Sequence, residues 1–142
     1  MGVHYGPRVN GNGQANHAQQ EVTPFHDQLQ FMQACDQTVH SYNSNQYNMY
    51  LSLIDEEVSE LKEALEAKDR VEQLDALIDI LVVTIGAIHS GGFDGEGAWK
   101  EVMMTNFAKV DSTTGKVIKR EDGKILKPKG WQEPKLAKHV KI

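Results

Sequence analysis

The sequence predicts an all-α protein, a bundle of four helices followed by a short β-hairpin. Three observations carry that prediction. Apolar residues recur at helical spacing through four segments between residues 23 and 110. Thr23, Asp69 and Asp94 stand where three of those segments begin, and each has a side chain that can cap a helix. Beyond residue 115 the period changes, and two short alternating runs flank Asp122-Gly123, a strong tight-turn dipeptide.

Taken in order, residues 1–22 are rich in Gly, Asn, Gln and His and predict a disordered arm without a signal peptide's apolar segment. Residues 23–142 are expected to form one domain. Thr23-Pro24 supplies a cap and a first-turn proline, and Phe25, Leu29, Met32, Val39 and Tyr42 extend helix 1 to about residue 41. Helix 2 begins near Ser44 and carries the stripe Tyr47, Leu51, Ile54, Val58, Leu61 and Leu65. Helix 3 runs from the Asp69 cap to about His89, where Gly91-Gly92 stops it. From Leu74 onward it is apolar nearly all round, so it should be the central element. Helix 4 follows Asp94 and buries Trp99, Val102, Met103, Phe107 and Val110; the hairpin occupies about 116–128.

Composition narrows the function. With 39% apolar and 25% charged residues, the chain reads as an ordinary soluble domain. Its one cysteine, Cys35, excludes an internal disulfide and a cysteine-based zinc site, consistent with the cytoplasm. The apolar run from Ile80 to Ile88 is too short to span a bilayer. Residues 1–108 hold five Lys or Arg against sixteen Asp or Glu, whereas 109–142 hold ten against four. An acidic body argues against nucleic acid as a partner, while an acidic body with a basic tail suits a site where a cation meets a polyphosphate.

The carboxylates point the same way. On helix 2, Glu57 and Glu60 lie along a rim of the apolar stripe, while Glu56 and Glu63 turn toward solvent. On helix 3, Asp75 and Asp79 share a face, and Glu72 lies on it one turn earlier. Asp79 sits inside "LIDILVV", where an ionised carboxylate is costly without a compensating partner. No Lys or Arg occurs between Arg70 and Lys100 to supply one. Two facing helices that each offer two inward acids make an oxygen cage, which favours Mg²⁺ or Mn²⁺ over zinc. A di-iron carboxylate bundle requires Glu-x-x-His, and none of the six histidines stands three residues after a glutamate.

"EEVSEL" followed by "VEQLDALIDILVV" resembles the all-α nucleoside triphosphate pyrophosphohydrolases, the MazG-like group that includes dimeric dUTPases, dCTPases and phosphoribosyl-ATP pyrophosphohydrolase. Their signature is E-x-x-E on one helix and E-x-x-D on the next. Glu57 and Glu60 match the first half. Glu72 and Asp75 fit the letter of the second, yet "DALIDILVV" also looks like the family's aspartate segment with Asp79 as its aspartate. In that register Ala76 occupies the acid position, and Asp75 stands in from one residue earlier. Facing geometry favours Asp75 and Asp79, with Glu72 and Glu56 in reserve. The resemblance covers about residues 25–110. The stretch "NFAKVDSTTGKVIKREDGKILKPKGW" looks like the tail of small phage and bacterial members.

The resemblance implies a Mg²⁺-dependent hydrolase that converts an NTP or dNTP to the monophosphate and pyrophosphate, with water attacking the α-phosphorus. Glu57, Glu60, Asp75 and Asp79 would hold the metal. Glu57 and Glu60 are the catalytic candidates, and Glu56 or Glu60 would be the general base. Asn106 and Lys109, three apart on helix 4, and Arg120 would contact the phosphates. Of the basic residues around the turn, most would protect hairpin edges and one or two would close over the triphosphate. Phe25, Phe31, Tyr47, Tyr50 and Trp131 are the aromatics available to the base, and the family points to helix 1. Apolar surface on helices 1 and 3 exceeds what one monomer needs, so a homodimer or homotetramer is expected. A non-catalytic helical interaction module, and less so a nucleic-acid accessory protein using the basic hairpin, are the competing readings.

Overall fold

In the computed structural model, residues 22–140 are described; the expected N-terminal arm, apart from Val22, lies outside the described residues. Four helices form: α1 (Pro24–Ala34), α2 (Ser44–Glu66), α3 (Arg70–Ser90) and α4 (Gly95–Phe107). The caps are those the sequence suggests. Thr23 accepts from His26 N at 3.2 Å, Asp69 from Val71 N and Glu72 N at 3.1 Å each, and Asp94 from Gly97 N at 3.0 Å. Asn43 does the same for α2, accepting from Gln46 N at 3.1 Å.

The α2–α3 pair is the frame of the molecule. α2 ends in a Schellman turn: Lys68 adopts φ 53°, its N–H reaches Leu65 O at 3.1 Å, and Asp69 N reaches Ala64 O at 3.0 Å. Asp69 thus closes one helix and caps the next. The chain folds back about Lys68. Tyr50 and Gly86 each stand eighteen residues from it, or five helical turns; Glu57 and Asp79 each stand eleven, close to three turns. Whole numbers of turns bring both pairs round to the facing side.

At the Tyr50–Gly86 level the helices approach closely. A Cβ on Gly86 would fall 2.3 Å from the Tyr50 ring, so no larger residue fits there. Met32, Tyr50, Val83 and Ala87 form the core, with Val39, Tyr47, Leu53 and Ile54 packed around them. Met32 is fully buried, which is worth about 1.5–3 kcal/mol. Tyr50 Oη donates to Gln37 Oε1 at 2.6 Å. Gln46 ties the α1–α2 connection to the end of α3, bonding Thr38 through both its backbone groups and donating to Ser90 Oγ at 2.7 Å.

Three expectations are corrected. Helix 1 stops at Ala34, not near residue 41, because a second Schellman turn intervenes: Asp36 takes φ 56° and Gln37 N returns to Met32 O at 3.0 Å. The β-hairpin is absent. Around Asp122-Gly123 the chain makes a turn with isolated bridges, Val110 to Val117 and Lys119 to Ile125, and no strand forms among the described residues. The cause is local and tertiary. Asp122 draws Lys124 N and the Arg120 guanidinium to its own carboxylate, and among the described residues no layer covers the segment, so two lone runs do not become a sheet. The expected buried face of helix 4 is also largely open: Trp99 is 59% and Phe107 67% exposed. α4 is buried at two points, at its N-terminal end, where Gly95 lies against Phe25 and Ile88, and at Thr105.

α3 contacts each of the other three helices. Its first half nevertheless leaves Val71, Leu74, Leu77, Ile78 and Leu81 exposed. The tail runs back along α4 and ends in a single 3₁₀ turn, Ala137–His139. None of the helices among the described residues is long and apolar enough to cross a membrane.

Candidate active site

Three of the acids singled out in the sequence converge. Glu57 and Glu60 come from one side of α2 and Asp79 from the facing side of α3, and one oxygen of each lies within 4.8 Å of the others. Glu57 and Asp79 are half-buried and Glu60 is exposed. The Glu57 Oε2 atom is buried and has no hydrogen-bond partner. An oxygen in that position loses its water without gaining a donor, a cost that a bound cation removes.

The acidities record the same strain. Burial first, then the hydrogen bond and charge of Glu60 and the charges of Asp79 and Asp75, push the Glu57 carboxyl up to about 7. Asp79 is raised by burial, then by Asp75 and Glu60. Asp75 stands outside the group of three but near enough for its charge to be felt by both. Glu56 and Glu72 are exposed and do not join the group. Among the described residues no lysine, arginine or histidine pairs with any of these acids.

The donor set fits a hard divalent ion. One carboxylate oxygen from each of the three residues would converge on such an ion, the three lying within 4.8 Å of one another. All three donors are oxygens, as Mg²⁺ or Mn²⁺ requires.

Residues 22–106 match the model of the phosphoribosyl-ATP pyrophosphohydrolase family, well over half of the chain. The chain belongs to that family. It therefore falls among the all-α nucleoside triphosphate pyrophosphohydrolases, hydrolases of acid anhydrides that are typically metal-dependent. No curated protein matches it.

Within this pyrophosphohydrolase fold the phosphate-contact candidates have other partners. Lys109 Nζ donates to Asn106 Oδ1 at 3.2 Å at the end of α4, and Arg120 pairs with Asp122. No hydrogen bond, ion pair or charge interaction joins any of the three to the acidic group among the described residues. Tyr50 is core, Phe25 stacks edge-on with His89 and Trp99, and Tyr47 lies between Tyr42 and Phe93. Trp131 docks on α4 through Nε1 to Thr105 O at 2.7 Å. Phe31 alone of these five aromatics holds most of its ring in solvent, 62% exposed.

A separate cleft of about 220 Å³ opens where α1, the end of α3 and the start of α4 meet, lined by Phe25, His26, His40, His89, Asp94 and Glu96. His89 Nε2 bonds Phe25 O at 2.8 Å, and burial holds its imidazole below the usual histidine range. His89 is ten residues from Asp79, roughly 15 Å along the helix, so the cleft is distinct from the acidic group. Sequence reasoning missed it, because its residues come from four segments with no shared spacing.

Proposed function

We propose that the protein hydrolyses the α–β anhydride of an NTP or dNTP to give the monophosphate and pyrophosphate, in a Mg²⁺- or Mn²⁺-dependent reaction. The observation that carries this reading is the buried, partnerless Glu57 Oε2 set beside Glu60 and Asp79, with no basic side chain paired to them among the described residues. Glu57, Glu60 and Asp79 would hold the metal directly, with Asp75 lending charge from the next turn. When bound, the ion supplies charge neutralisation for the phosphates and acidifies a coordinated water. Glu60, exposed on the open side of the group, accepts the proton of the attacking water; Glu56 is the other candidate. Glu57 and Asp79 stay fixed by their half-buried positions and keep the oxygens converged. Phe31 on α1 offers the base a stacking surface, and Asn106 and Lys109 receive the leaving pyrophosphate.

We also read residues 23–142 as one functional unit, acting in the cytoplasm. A second copy of the chain covers the exposed face of α3 and brings a basic tail toward the acids. The apolar residues at helical spacing and the opposite charges of body and tail support that arrangement. Leu74→Glu should then convert an oligomer to a monomer in light scattering.

The test is pyrophosphate release from each NTP, each dNTP and phosphoribosyl-ATP, with Mg²⁺ or with chelator. Metal-dependent release supports the enzyme and its rates name the substrate. No release from any of them leaves a non-catalytic interaction module.

A further inference from the structure

Four cations of the tail and of the end of α4 have partners of two kinds. Arg120 is held by Asp122, with Nε at 3.0 Å from the carboxylate, and Lys138 pairs with Glu101 at 3.5 Å. Among the described residues Lys109 and Lys127 have no carboxylate partner. Their ammonium groups instead stand 5.0 and 4.9 Å from the centroid of one ring, that of Trp131. Lys109 has one hydrogen-bond acceptor, the neutral Asn106.

The ring itself is anchored. Beyond the bond from Trp131 Nε1 to Thr105 O, the tail is tied to α4 by Lys135 N to Glu101 Oε1 at 3.3 Å. Farther on, Asp94 N donates to His139 O at 2.8 Å. These ties fall successively nearer the start of α4, so residues 131–139 run antiparallel to the helix as a strap. The strap sets one indole where two lysines from distant parts of the sequence reach it.

Two ammonium groups are thereby held within about 10 Å of each other, the sum of the two ring distances. That is no more than a Debye length at 0.1 M salt, so they repel. An aromatic face attracts each cation without neutralising it. A fixed pair of uncompensated positive charges is complementary to a multiply charged anion. Arg120, whose charge Asp122 already offsets, is not.

We propose that Lys109 and Lys127 form a polyphosphate-binding pair set by Trp131. Lys127, and not Arg120, is then the tail cation that meets the substrate's phosphates. Trp131 acts as a positioning residue. The proposal rests on the pyrophosphohydrolase reading for its ligand, and inorganic pyrophosphate is the probe that separates the two.

The experiment titrates the full chain with inorganic pyrophosphate in chelator, which silences the acidic group, and follows heat and tryptophan fluorescence. Wild type should bind, more weakly as salt rises. Lys127→Ala should weaken binding about tenfold, Lys127→Arg should restore most of it, and Lys124→Ala, an equal loss of charge three residues away, should leave it unchanged. Trp131→Phe should lose less than Trp131→Ala. In turnover, Lys127→Ala should raise KM more than it lowers kcat. Equal effects of Lys124→Ala and Lys127→Ala overturn the pair, as does a wild type that binds a single-stranded oligonucleotide and not pyrophosphate. If nucleotides are hydrolysed while Lys127→Ala changes neither binding nor KM, the pair falls and the enzyme stands. If pyrophosphate binds as expected and no nucleotide is hydrolysed, the pair stands and the enzymatic reading falls.

Discussion

The two ends of the α2–α3 pair differ in almost every physical respect. At the end where α1 joins, Tyr50 meets Gly86, Met32 is sealed, and Gln46, Asn43 and Ser90 satisfy one another's polar groups. At the other, the buried residues are small, Ala64 and Ala76. There the polar atoms are acids that repel each other, and one buried oxygen has no partner. The first end holds the fold together. The second leaves a deficit that a ligand removes, and sites with such deficits are where function concentrates.

Changes at each end should therefore separate activity from stability. The largest effect is expected for Asp79→Asn, which removes a charged oxygen from the acidic group. Loss of a metal's outer-shell partner alone costs 10–100-fold, so pyrophosphate release should fall by more than about 100-fold. The metal-free melting temperature should hold or rise, because a repulsion is relieved. A variant that melts early and keeps its activity would reverse the division. Met32→Ala tests the opposite end. It should cost about 2–5 kcal/mol in denaturant unfolding, with kcat retained at temperatures where the protein stays folded.

A subtler separation lies in pH. Glu57 titrates near 4.5 when unfolded and about 7 in the fold, so between those values the native state keeps a proton that the unfolded chain has released. Metal-free stability contributed by this group is full below 4.5 and is lost as pH rises toward 7. His89, lowered by burial, works in the other direction: its unfolded form takes up a proton more readily as pH falls. The difference between Glu57→Gln and wild type isolates the carboxyl, and their melting temperatures should diverge from pH 5 to pH 8. Added Mg²⁺ competes with that proton, so it should raise the wild-type melting temperature more at pH 8 than at pH 5. The smallest effect is expected for Asp69→Ala, a lost cap worth about 1 kcal/mol by denaturant unfolding.

Much of this contrast was legible in the chain itself. Caps at Thr23, Asp69 and Asp94 declare helix starts through local chemistry, so periodicity and capping together placed three starts correctly. Asp79 announced itself as an acid among branched apolar residues, far from any basic residue in sequence. What failed was what depends on distant contacts. The left-handed turn at Asp36 is adopted by an aspartate, which carries no glycine's signal, so helix 1 was read too long. Asp122-Gly123 does make a turn, but a hairpin also requires a surface to lie on, and sequence alternation cannot report its absence. Trp99 and Phe107 follow the helical period faithfully, yet among the described residues no surface covers them. The convergence of Lys109 and Lys127 on one indole could not be read either, since eighteen residues separate them and only the strap along α4 brings them together.

The reversal about Lys68 has a further consequence for how the carboxylates can change. Because each facing pair is counted out in whole turns from one residue, the turn works as a ruler: inserting or deleting a single position there rotates one helix by about 100° relative to the other. Glu57 would then swing away from Asp79 at the same stroke that the tyrosine ring leaves its glycine groove. Insertions should therefore be far harder to accommodate between residues 66 and 70 than in the tail, where length varies without altering any angle between the helices.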